Sequence, residues 1–143
     1  MLMGKYNNSI DSKNRMTVPS KYRDELGYSC VLTKGNDKCL YIYPMTEWEK
    51  VRNKLSSLPT SNKSVRAYVR RVYANAVECE IDKQGRITIP PELREFAGIE
   101  KDLVTMGVMN RIEIWSRSEW EMFDINEDDD ACDFEGTLAE YGI

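Results

Sequence analysis

Two short stretches alternate with the same polarity. In R-M-T-V (15–18), Met16 and Val18 share one face of an extended chain and Arg15 with Thr17 the other; in R-I-T-I (86–89), Ile87 and Ile89 oppose Arg86 and Thr88. Around each stretch the same element order is expected. An opening strand (5–10, 77–81) reaches a turn at S-K-N or K-Q-G, and the alternating strand (15–18, 86–89) follows. The equivalent turn positions hold Asn14 and Gly85, the residue types that most readily accept positive φ. Pro19 and Pro90 end the strand, and a short helix (21–26, 91–97) stops at Gly27 or Gly98. Two β segments come next (30–34 with 39–43, 103–108 with 111–115), joined by turns at G-N-D-K and M-N. Capping boxes at Thr46-x-x-Glu49 and Ser118-x-x-Glu121 are expected to open a further helix in each half.

Between the halves, L-P-T-S-N-K-S reads as a linker, followed by an apolar helical stripe of Val65, Tyr68, Val69, Val72 and Ala76 with Arg66, Arg70 and Arg71 around it. Such a stripe implies core or oligomer interface. The halves are copies: I-D-S-K-N-R-M-T-V-P (10–19) and I-D-K-Q-G-R-I-T-I-P (81–90) stand 71 positions apart, and Arg23 matches Arg94 and Gly27 matches Gly98 at that offset. One residue later in register, Y-I-Y-P-M-T-E-W (41–48) matches E-I-W-S-R-S-E-W (113–120). The period is too long for a solenoid repeat and points to an internal duplication that makes a pseudo-dimer. The expected organisation is a first unit at 1–56, linker and connecting helix at 57–76, a second unit at 77–123 and an acidic tail at 124–143.

Composition narrows the chemistry. With 143 residues the chain supports one ordinary core or two half-domains sharing one. No apolar run reaches the roughly 18 residues of a membrane span, and M-L-M-G-K-Y-N-N lacks a secretory apolar stretch, so a cytoplasmic protein is expected. The four cysteines, Cys30, Cys39, Cys79 and Cys132, never fall as C-x-x-C and read as reduced, packed thiols. Histidine is absent, which removes Ser-His and Cys-His nucleophiles and the usual general base. A carboxylate enzyme on Glu78, Glu80 and Asp82 has little behind it, since their alternation is that of an ordinary strand face. No metal, cofactor or small-molecule substrate is expected.

Charge is segregated. Overall the net charge is −4, yet residues 1–120 hold 20 bases against 15 acids, while 121–143 contain nine acids and no base. A basic body suits nucleic acid, although solubility alone could explain it. In the tail, Asp124, Asn126, Asp128, Asp130 and Glu135 have calcium-loop spacing, but Asp129 occupies the position that requires glycine and no helix is evident afterwards. A solvated, disordered tail is the expectation, with competition for the basic face as a sharper alternative.

The repeated D-x-x-x-R carries the functional argument. Asp11 or Asp82 lies close enough across the hairpin to orient Arg15 or Arg86. A structural pair fixing the turn is one reading. Duplication supplies the other: two arginines related by a pseudo-twofold, with Lys13, Lys83, Asn14, Gln84, Thr17 and Thr88 beside them, form a basic surface suited to phosphates and guanine edges. Asp11, Asp82 and Gly85 then have structural roles in the motif.

The paired D-x-x-x-R motifs, the T-V-P and T-I-P strand ends, L-Y-I-Y-P-M-T-E-W and R-I-E-I-W-S-R-S-E-W together resemble the MraZ family, a tandem member of the AbrB/SpoVT superfamily, over residues 1 to 123. That resemblance implies an α+β, mainly β fold in which both units interleave into a pseudo-twofold swapped-hairpin β-barrel with short flanking helices. It implies a ring-shaped homo-oligomer and a nucleoid-associated transcriptional regulator. Such a regulator binds short direct repeats in double-stranded DNA at the promoter of the division and cell-wall gene cluster that includes its own gene. The family's DNA-contacting arginines correspond to Arg15 and Arg86, and Asn14 stands where the first motif often has Gly. An antitoxin of the same superfamily and a ring-forming assembly protein that ignores DNA are the alternatives.

Overall fold

The computed structural model describes residues 2–125 and 134–142. Among the described residues, eight strands and six helices follow one another as β1 (Lys5–Ser9), β2 (Arg15–Thr17), α1 (Ser20–Leu26), β3 (Ser29–Lys34), β4 (Leu40–Pro44), α2 (Met45–Ser56), α3 (Lys63–Ala74), β5 (Val77–Glu80), β6 (Arg86–Thr88), α4 (Pro91–Ala97), β7 (Asp102–Val108), β8 (Arg111–Ser116), α5 (Arg117–Ile125) and α6 (Phe134–Glu140). The fold is α+β, and its halves are exchanged rather than adjacent. An antiparallel sheet runs β1-β7-β8-β4-β3-β5, and β2 pairs with β6 in a separate two-stranded ribbon. The opening strand of each half thus pairs with the other half: Tyr6 with Thr105 and Asn7 with Val104 on one side, Cys30 with Cys79 on the other. At the centre, Leu40 meets Ile114 and Ile42 meets Ile112.

The exchange of strands between halves is that of a swapped-hairpin fold, and one expectation about pairing is corrected. The six-stranded ladder runs from β1 to β5 without closing on itself. The opening strand and the alternating strand of one half share only the Ile10–Met16 bridge, because β1 is committed to β7 and β2 to β6. Ribbon strands end at Thr17 and Thr88, one residue earlier than expected. The next amides, Val18 N and Ile89 N, instead donate to Gly85 O at 2.8 Å and Asn14 O at 2.9 Å in the opposite half's turn.

The alternation pays off in the core. Met16, Val18, Ile87 and Ile89 are buried and join Tyr22, Leu32, Leu40, Ile42, Leu103, Ile112 and Ile114 in one cluster. Full burial of each such side chain contributes about 1.5–3 kcal/mol. Since the ribbon's apolar face is built half from each copy, neither half could close this core alone. Cys30, Cys39 and Cys79 are buried free thiols, as their apolar surroundings imply. Burial pushes the thiols of Cys30 and Cys39 up to about 12.

Neither expected capping box forms. α2 starts directly at Met45 after Pro44, with no side-chain cap. In the second half β8 runs on to Ser116, whose Oγ accepts from Glu119 N at 3.1 Å, two residues ahead of Ser118-x-x-Glu121. S-R-S-E-W-E matches the box pattern in two registers, and the strand end selects the first. The linker ends at Asn62, whose side chain caps α3 by accepting from Ser64 N and Val65 N. α3 stops at Ala74, so Ala76 lies outside the stripe, and none of its residues is fully buried. A helix does follow the acidic segment, at Phe134–Glu140, contrary to expectation. Of the calcium-loop positions, Asn126, Asp128 and Asp130 lie outside the described residues, as does Cys132.

Candidate nucleic-acid interface

The β2–β6 ribbon sets every alternating candidate on one side. Its register pairs Arg15 with Thr88, Met16 with Ile87 and Thr17 with Arg86. Met16 and Ile87 point inward at 0% and 1% exposure, so the four flanking side chains share the outer face. A pseudo-twofold passes between Met16 and Ile87 and exchanges the two arginines.

Each arginine is held by its own aspartate in matching geometry. Asp11 Oδ1 accepts from the amides of Lys13 and Arg15, both at 2.9 Å, and Oδ2 accepts from Arg15 Nε at 2.9 Å. Asp82 Oδ1 accepts from the amides of Gln84 and Arg86, and Oδ2 from Arg86 Nε, again at 2.9 Å. Asp11 N bonds Arg15 O and Asn14 N bonds Asp11 O; Asp82 N bonds Arg86 O and Gly85 N bonds Asp82 O. Four residues are thereby closed into a turn by one carboxylate. The backbone amides of Arg15 and Arg86, foremost, hold the carboxyls of Asp11 and Asp82 below the ordinary carboxylate range, reinforced by the guanidiniums.

Because the aspartate takes only Nε, no described residue accepts from the terminal guanidinium nitrogens of Arg15 or Arg86. The side chains are 27% and 25% exposed. Each presents its two-pronged end outward with its stem fixed, the arrangement bidentate recognition requires. Lys13, Lys83 and Gln84 are exposed at the turn tips, and Asn14 is half-buried. Asn14 has φ 61° and Gly85 φ 78°, so the two turns do use the same left-handed position.

One pair of residues has a role that the repeat alone did not reveal. Arg23 Nε donates to Val18 O at 2.9 Å, and Arg94 Nε donates to Ile89 O at 3.1 Å. Each clamps the end of a ribbon strand from the following helix. The Arg23 guanidinium also lies against Gly85, where a Cβ would stand 2.2 Å from its Cζ. The signal was the 71-residue offset that matches Arg23 to Arg94. By contrast, Glu78 and Glu80 are exposed about buried Cys79 on β5, an ordinary strand face. Among the described residues no group of three or more His, Cys, Asp or Glu could hold a metal ion.

With this geometry established, comparison with known proteins is decisive. The family described as "MraZ protein, putative antitoxin-like" matches twice, at residues 1–71 and 72–134. The chain belongs to the MraZ family. The two matches coincide with the duplication. Proteins called "Transcriptional regulator MraZ" are similar along most of their length. The Clostridium tetani protein is 55% identical over 86% of this chain and 87% of its own, and that of Thermoanaerobacter sp. is 53% identical over 90% of each. The Alkaliphilus oremlandii MraZ is 46% identical over the whole of both chains. These relatives are all named as transcriptional regulators.

Proposed function

We propose that the chain binds double-stranded promoter DNA sequence-specifically through the two D-x-x-x-R turns. The observation that carries this reading is the twofold-related pair of arginines, each oriented through Nε by its own aspartate on the outer face of one ribbon. A two-stranded β-ribbon fits the major groove, where a guanidinium pairs in bidentate fashion with guanine O6 and N7. In this reading Arg15 and Arg86 read bases. Lys13 and Lys83 neutralise phosphate, while Asn14, Gln84, Thr17 and Thr88 adjust the fit at the loop and ribbon edges. The target is the promoter of the division and cell-wall gene cluster, including the protein's own operon. Short direct repeats there would engage successive ribbons of a ring-shaped homo-oligomer in the nucleoid region of the cytoplasm. The chain acts by binding and not as an enzyme, in keeping with its relatives' designation as regulators.

Fluorescence anisotropy with DNA from upstream of the gene and a shuffled control, at two salt concentrations, tests the proposal. Preference for the native DNA that Arg15→Ala/Arg86→Ala abolishes is the expected result. Equal affinity of the double variant and wild type for the native DNA would overturn the site.

A further inference from the structure

The positive charge of the chain has a second focus besides the D-x-x-x-R turns. Residues 50–77, which run from the middle of α2 through α3, contain seven bases and no acid, whereas the rest of the chain holds 13 bases against 24 acids. Bases of one sign gathered on a helical segment are the electrostatic footprint of a polyanion.

The two helices of this segment treat their charge differently. On α2, Lys50 Nζ bonds Glu47 at 3.0 Å and Arg52 Nη1 bonds Glu49 at 2.8 Å, so those cations are balanced within the helix. On α3 they are not. Lys63, Arg70 and Arg71 are exposed, and among the described residues no group accepts from their side chains. Arg66 meets only neutral carbonyls, its Nη1 donating to Thr60 O at 3.0 Å and Ser61 O at 3.1 Å. The helix dipole adds to the imbalance. Its N-terminal end is positive and ordinarily attracts acids, yet the first turn of α3 holds Lys63 and Arg66 and no acid.

Spacing suits a phosphate strand. Lys63, Arg66 and Arg70 stand at i, i+3 and i+7, on one face of the helix, in a row roughly 10 Å long at 1.5 Å per residue. A duplex strand sets a phosphate every 3.4 Å or so of its axis, so the row spans about three of them. Each ribbon arginine shares its Nε with an aspartate, which favours selective reading of bases. Cations without carboxylates favour contact with the backbone of any sequence.

We propose that α3 is a second DNA-binding surface, which holds the phosphate backbone of a duplex irrespective of sequence. It shares with the ribbon reading only the partner, double-stranded DNA, and needs neither Arg15 nor Arg86.

Fluorescence anisotropy of full-length chains on a shuffled duplex, over a salt series, reads this surface without the base contacts of the ribbon. Lys63→Gln/Arg70→Gln/Arg71→Gln, all at exposed positions, is expected to bind that duplex about tenfold or more weakly at low salt, with a salt dependence lower by roughly three ions. It should keep the preference for native promoter DNA over the shuffled duplex. Arg15→Ala/Arg86→Ala should do the reverse, losing the preference while retaining the contribution of α3. A triple variant with wild-type affinity and salt dependence on the shuffled duplex would overturn the proposal, as would a loss that follows a changed assembly in sedimentation velocity. A wild type without preference for native DNA, beside a triple variant weakened on both duplexes, would sustain this proposal and sink the base reading.

Discussion

Arg15 stands directly opposite Thr88 in the β2–β6 ladder, and the same register sets Thr17 against Arg86. The two arginines are therefore diagonal neighbours, about 7–8 Å apart at the backbone. That separation is comparable to two base-pair steps, each about 3.4 Å along a strand. Two guanidiniums so close repel one another, and each carries its own carboxylate on Nε. The aspartates lower that repulsion and hold each guanidinium at its own turn.

Replacing either arginine by alanine is expected to weaken binding to native promoter DNA by about 1–3 kcal/mol, roughly 5- to 150-fold. The double variant should bind native and shuffled DNA alike. Lys13→Gln and Lys83→Gln should leave the preference intact and each lower the salt dependence by about one ion. Anisotropy titrations across a salt series separate the two classes; a lysine variant that changes sequence preference contradicts the division of labour.

Asp82→Asn isolates the orienting role. The amide retains an oxygen for the Gln84 and Arg86 amides, but its nitrogen would face Arg86 Nε, donor against donor. Exposed ion pairs contribute little to stability. The thermal midpoint should thus stay within a few degrees of wild type while specific DNA affinity falls towards that of Arg86→Ala. Asp11→Asn should do the same for Arg15. A large loss of thermal stability with unchanged DNA preference would assign the pair to folding alone.

Much of this was legible because the duplicated decapeptide couples local pattern to global symmetry. Alternation at R-M-T-V and R-I-T-I located the buried Met16, Val18, Ile87 and Ile89 and the outward arginines, and Asn14 with Gly85 marked the positive-φ turn. Pairing between halves was harder to see. Nothing local in Lys5–Ser9 says that its partner is Asp102–Val108, ~100 residues away in sequence, because edge selection depends on tertiary packing. Helix starts were misplaced where Ser116 and Ser118 offered equivalent caps, and only the end of β8 decides between them. The clamps of Arg23 and Arg94 were visible as a repeat match but not as bonds, since each reaches a strand end five residues back.

The recognition turns should be insensitive to pH from about 7 down to 5. Histidine is absent, and the carboxyls of Asp11 and Asp82 are held below the ordinary value of about 3.9. A depressed carboxyl contributes stability above its unfolded pKa and loses it as pH falls through the lower folded value, so the turns should loosen only in strong acid. Anisotropy at constant ionic strength is expected to give a flat specific affinity across that range. A midpoint near 6 would show that a different group governs binding.

Gly85→Ala should disturb both halves at once. At φ 78° a Cβ costs about 1–2 kcal/mol on backbone grounds. It would also displace the Arg23 guanidinium, whose nearest atoms lie 2.2–2.6 Å from the Cβ position. Since the obstruction is the end of a flexible side chain, Arg23 can yield, but it then gives up its bond to Val18 O. Arg23→Ala should therefore make Gly85→Ala milder, and a double-mutant cycle in urea is expected to give a coupling of about 0.5–3 kcal/mol. Asn14→Gly, at φ 61° in the equivalent turn, should be nearly neutral. Strict additivity of Gly85→Ala and Arg23→Ala would mean that the guanidinium does not rest on the turn in solution, and that the ribbon's two ends are set without that clamp.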